Sequence, residues 1–108
     1  MKVSYWVSAY LLFVSTVNAE SFNWGELKRE KIDLKLPLLT VQGSKGILAC
    51  GYINANTCEK TGEACAIVSG VNNHEEMLLK PIVALSPAAK ELGIELGMSG
   101  AQALALIR

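Results

Sequence analysis

The chain has 108 residues, enough for one domain with a single core and too few for a second. Ten basic and ten acidic residues cancel to a formal net charge of zero, which excludes the electrostatic footprint of a nucleic-acid binder or of a protein drawn to anionic lipid. Three cysteines, an odd number, argue against a secreted disulfide scaffold.

Residues 1–20 obey different rules from the rest. Lys2 precedes an uncharged run over 3–19 that closes on Val17-Asn18-Ala19 before Glu20. A basic start, an apolar middle and small residues at the end make a secretory signal with cleavage after Ala19, although a start assigned too far upstream would give the same text. The run sits at the low edge of the roughly 17–25 residues that cross a bilayer, so no stable membrane insertion is expected beyond the leader. The domain itself is expected to span 21–108.

Over residues 31–36 strict alternation predicts a strand with Ile32, Leu34 and Leu36 on one buried face. Lys28, Arg29, Lys31 and Lys35 are interleaved with Glu26, Glu30 and Asp33, the pattern of a solvated strand face. After Pro37, a second strand over 38–42 meets Gly43-Ser44-Lys45-Gly46, a tight hairpin turn, and a third runs over 47–52. Pairing across the turn sets Val41 opposite Leu48 and Leu39 opposite Cys50 on one face, with Thr40 and Ala49 on the other. Short helices and strands follow. Asn56 with Glu59, Asn73 with Glu76, and Ser99 with Gln102 each place a capping side chain three residues before Glu or Gln, and Ser86-Pro87 marks a fourth helix start. Residues 64–69 and 81–85 are apolar runs of strand length, and Gly62, Gly70, Gly93 and Gly97 punctuate the ends. The fold class is α+β: an N-terminal antiparallel hairpin sheet followed by short helices and strands in one small domain.

With the elements placed, a resemblance emerges. Gly43-Ser44-Lys45-Gly46-Ile47-Leu48-Ala49-Cys50-Gly51-Tyr52, Ala66-Ile67-Val68-Ser69-Gly70-Val71, Glu76-Met77-Leu78, Lys90-Glu91-Leu92-Gly93 and Gly97-Met98-Ser99-Gly100 through Ala103-Leu104 resemble, in that order, the YunC-like domains of bacteria and archaea. The resemblance implies an α+β fold, tetramerisation through the N-terminal β region, a cytoplasmic location and no known activity. Export, with the leader cleaved, is the alternative location.

Candidate chemistry is sparse. Cys50 ends a strand just before Gly51, where a turn would expose a nucleophilic thiol, but an unoxidised cysteine beside Leu39 equally suits an apolar core. His74 is the one histidine that could serve as a base. Cys50, Cys58, Cys65 and His74 are spaced unlike any zinc knuckle, so no metal or cofactor is expected. Cys58 and Cys65 would join only if the domain is exported. Gly43-Ser44-Lys45-Gly46 precedes a strand, which excludes a phosphate loop. Gly97, Ser99 and Gly100 lead into a helix whose amides would hold an anion, although a Ser99 cap explains the same residues.

The hairpin is apolar on both faces and the helices are short. Leu34, Leu38, Val41 and Ile47 are therefore the candidate surface for association with further copies of the chain. Three functions remain open: a homo-oligomeric module, tetrameric by resemblance, that binds a small ligand or a protein; an enzyme with Cys50 as nucleophile; and an exported or membrane-tethered accessory domain.

Overall fold

The computed structural model describes residues 21–108, so the leader lies outside the described residues. Three strands come first: β1 (Lys28–Ile32), β2 (Leu38–Gln42) and β3 (Ile47–Ala49). Then follow α1 (Ala55–Thr61), β4 (Cys65–Ile67), α2 (His74–Leu79), β5 (Ala84–Leu85), α3 (Pro87–Glu91) and α4 (Gly100–Ile107). The strands form one mixed sheet in the order β1-β2-β3-β4-β5. Only β3 and β4 run parallel, joined through α1, and the other neighbours are antiparallel.

The β2–β3 hairpin has the register that its alternation demands. Val41 faces Leu48 and Thr40 faces Ala49, while the Cys50 amide donates to the Leu39 carbonyl at 3.1 Å. Its turn is pinned at both ends: the Gly43 amide donates to the Gly46 carbonyl, and the Lys45 amide donates to the Ile107 carbonyl, both at 2.9 Å. A side chain on Gly43 would stand 2.7 Å from that same Ile107 oxygen, so glycine lets the turn dock on the end of α4.

Alternation then decides the layers. Leu39, Val41, Leu48, Ala66 and Val68 point to one face and are sealed by α2 and α4 through Met77, Leu78, Ala103, Leu104 and Ile107. Each fully buried aliphatic side chain there contributes about 1.5–3 kcal/mol. On the opposite face α1 lies against β4, making a smaller cluster of Ala49, Cys58, Cys65 and Ile67, with a disulfide between Cys58 and Cys65.

Three of the four helix starts fall where the capping residues predict. The Asn73 side chain accepts the Glu76 amide, while the Glu76 carboxylate accepts the amide of Asn72, one residue before the cap. Ser86 caps α3 with Pro87 in its first turn, and Ser99 and Gln102 form a reciprocal capping box on α4. The fourth is corrected. α1 is capped by Asn54 rather than Asn56, because the turn closed by the Ile53 amide on the Cys50 carbonyl leaves Asn54 in the extended conformation that a cap requires.

The first strand is also corrected. β1 ends at Ile32, and Ile32, Leu34 and Leu36 are 54%, 49% and 58% exposed rather than buried. Ile32 pairs with Leu38, so the chain must reverse between them, and the alternating residues 33–36 fall in the bend. All five residues of β1 are exposed at the sheet edge, and their charged side chains protect that edge from further strands.

Gly100 marks the tightest approach between the covering helices. A Cβ there would stand 1.9 Å from the Met77 carbonyl oxygen. Gly100→Ala is therefore expected to cost about 2–3 kcal/mol through forced separation of α2 and α4, a fall in Tm of about 10 °C or more. Thermal melts followed by circular dichroism measure it, and an unchanged or raised Tm would contradict the close approach.

Candidate functional site

The carboxyl ends of adjacent parallel strands leave a crevice, because the chain departs from each strand in a different direction. Here that crevice is a cleft of about 320 Å³ at the ends of β3 and β4. Gly51 and Tyr52 follow β3, Gly70 and Val71 follow β4, and Leu36 and Pro37 close the third side from the β1–β2 bend. Among the described residues no histidine, carboxylate or amine lines it.

Cys50 stands at this cleft. It is 4% exposed and outside any disulfide, and its Sγ accepts the Leu39 amide at 3.3 Å and lies 3.9 Å from the Pro37 carbonyl oxygen. The thiol thus belongs to the core packing and to the cleft wall together. His74 is placed elsewhere. Its Nε2 lies 3.0 Å from the Glu30 carbonyl oxygen and 3.2 Å from that of Thr40. Both partners are acceptors, so Nε2 is the donor and the imidazole ties α2 to β1 and β2. Its ring stands at 80° to that of Trp24 with centroids 6.4 Å apart, and the Arg29 guanidinium lies over the Trp24 ring 4.4 Å from its centroid.

The glycine-rich start of α4 is committed to structure. The Gly97 amide donates to the Ile82 carbonyl and the Gly100 amide to that of Lys80. Ser99 exchanges bonds with Gln102, its amide donating to the Gln102 side chain and its hydroxyl accepting the Gln102 amide. An anion at Gly97, Ser99 and Gly100 would have to displace these bonds. Among the described residues no group of three His, Cys, Asp or Glu side chains could hold a metal ion.

The four candidate association residues divide. Val41 is fully buried beneath α2 and α4 and is corrected from surface to core. Leu34 is exposed in the bend, while Leu38 and Ile47 are half-buried, Leu38 packing against the main core and Ile47 against the smaller α1 cluster. Two features escaped the sequence. The cleft arises only because β3 and β4 are parallel, and the strand-helix-strand order over 47–67 was its signal. Ser86 is the other: its buried hydroxyl donates to the Glu63 carbonyl at 2.6 Å and accepts the Cys65 amide at 3.0 Å, fixing the start of β4.

Fold and cleft together define a small α+β domain with a ligand-sized apolar crevice. The chain belongs to the family described as a domain of unknown function, DUF1805, whose model matches residues 49–107. The crystal structure of a protein of unknown function from Thermoplasma acidophilum is similar, with a TM-score of 0.67 and 27% identity over 76% of this chain and 93% of that one. A comparison with curated proteins finds no match.

Packing of the Cys50 thiol sets its reactivity. Iodoacetamide at neutral pH is expected to alkylate Cys50 at least about tenfold more slowly in the native protein than in the unfolded chain. Peptide mass spectrometry over time measures this. Native alkylation faster than the unfolded control would instead identify an activated thiol.

Proposed function

We propose that the domain is a homo-oligomeric binding module that holds a small, largely apolar ligand in the Cys50 cleft. The carrying observation is the distribution of exposed apolar side chains. Of the seven large hydrophobic residues left exposed among those described, four (Ile32, Leu34, Leu36 and Tyr52) lie in or beside the β1–β2 bend or just after β3. Leu36 and Tyr52 line the cleft itself. A concentration of this kind marks a surface that binds something, and a preformed apolar crevice with few polar groups is the usual form of a small-molecule site.

Self-association is supported by the outward side of the hairpin. α1 covers that side at β4 and reaches Ala49 and Ile47 of β3, while Leu38 remains half-exposed and its cross-strand partner Ile32 carries the apolar surface to the edge. The charged β1 edge disfavours strand addition, which leaves the face as the surface for a second copy. A tetramer is the state that the family resemblance suggests. The Cys50 nucleophile is less well supported, because His74 is bound to backbone carbonyls away from the cleft and among the described residues no imidazole or carboxylate lines it. For location, the Cys58–Cys65 disulfide favours export into an oxidising compartment over the cytoplasm. Among the described residues no helix is long and apolar enough to cross a membrane.

Light scattering coupled to size exclusion tests association, with an oligomer mass expected at micromolar concentration and a monomer mass contradicting it. Leu38→Asp and Ile47→Asp should give folded protein of lower mass, whereas Val41→Asp should unfold the domain by burying an unpaired charge. Native mass spectrometry of the purified protein tests the cleft: a bound small molecule is expected, and Gly51→Trp at its wall, where a side chain meets open space, should remove it.

A further inference from the structure

The first helix buries a single side chain of its own, and that side chain is also its covalent tie to the sheet. α1 has seven residues, Ala-Asn-Thr-Cys-Glu-Lys-Thr, of which asparagine, threonine and cysteine are weak helix formers and only Cys58 is buried. A helix this short has little stability of its own and depends on tertiary contacts. Its flanks supply few. On one side lies a groove of about 330 Å³ bordered by Ile47, Ile53 and Cys65, and on the other a groove of about 500 Å³ bordered by Ala55, Val83 and Leu96. Of the four buried residues in the cluster it forms with the sheet, two, Cys58 and Cys65, are the disulfide itself.

We infer that α1 is a redox-gated flap: the Cys58–Cys65 bond holds it on the sheet, and its reduction by a dithiol releases it while the rest of the domain stays folded. The chemistry is thiol–disulfide exchange. A thiolate of the dithiol attacks one sulfur, the Sγ–Sγ bond breaks, and a mixed disulfide forms. The dithiol's second sulfur then displaces the protein thiolate. Two electrons and two protons pass to Cys58 and Cys65, and the reductant leaves as a disulfide. Both cysteines are buried in the closed structure, so a small dithiol reaches the bond through local opening of α1 toward the groove that Cys65 borders.

The rest of the domain has no such dependence. The main core under α2 and α4 contains no disulfide, and the start of β4 is fixed independently by the Ser86 hydroxyl on the Glu63 carbonyl and the Cys65 amide. Release would join the two grooves across Ala49, Ile67 and Ala84, on the same side of the sheet as the proposed association face. The flap is independent of that association, since it rests on the disulfide and on packing within one chain.

Hydrogen exchange with mass spectrometry on the full chain tests it, comparing oxidised protein with protein reduced by dithiothreitol. Closing the short loop between Cys58 and Cys65 restrains opening by a factor of order 50. Exchange over 55–62 is therefore expected to accelerate about 50-fold on reduction, while β2, β3 and α4 change by less than about threefold. The double variant Cys58→Ala/Cys65→Ala should match the reduced protein without any reductant present. Unchanged exchange in α1 would overturn the inference, and so would equal acceleration throughout the domain, which would make the bond a staple of the whole fold. Light scattering of the oxidised sample reports association separately, so a failure of that proposal and a failure of the flap are distinguishable.

Discussion

Everything else is arranged around β3, a strand of three residues. Ile47, Leu48 and Ala49 pair antiparallel with β2 on one side and parallel with β4 on the other. Leu48 sits where the two ladders meet, opposite Val41 and Ala66, fully buried and within reach of the start of α4. From this position three consequences follow. The antiparallel side permits a four-residue turn, which docks on the end of α4. The parallel side forces a crossover, which becomes α1 and carries Cys58 over Cys65. The two carboxyl ends, left side by side, open the cleft.

The same constraint separates the two faces of the sheet. Period-two alternation from Leu39 to Leu48 commits Leu39, Val41 and Leu48 to the side that α2 and α4 seal. Alternation turns Leu38 and Ile47 the other way, where Ile47 meets the α1 cluster and Leu38, at the start of β2, still packs against the rim of the main core. Cys50 inherits its dual position from this pattern: the register places it beside Leu39 in the core, and the end of the strand places it at the cleft wall. A thiol in that position contributes packing and a weak hydrogen bond from the Leu39 amide.

Much of this was legible in the residues. The turn at Gly43-Ser44-Lys45-Gly46 and the alternation on each side of it specify the hairpin register to the residue, and Asn73, Ser86 and Ser99 specify three helix starts, because capping is a local interaction between neighbours in sequence. The family and the α+β class followed from the same segments. What was not legible depends on distant parts of the chain. Alternation over 31–36 cannot say where the chain reverses, and the pairing of Ile32 with Leu38 made Leu34 and Leu36 part of a bend. The apolarity of Val41 did not distinguish a partner surface from a core, a choice made by the helices 33 to 66 residues further on. The cleft was hidden for the same reason, since it requires β3 and β4 to be parallel neighbours.

The central claim is that one face of the hairpin is sealed within the chain and the other is covered by a second copy. Isotope-filtered nuclear Overhauser spectroscopy on a mixture of labelled and unlabelled protein tests it most directly. Intermolecular contacts are expected from the methyl groups of Leu38 and Ile47, with none from Val41 or Leu48. Intermolecular contacts confined to other surfaces, or none at all at concentrations where the protein is folded, would contradict it.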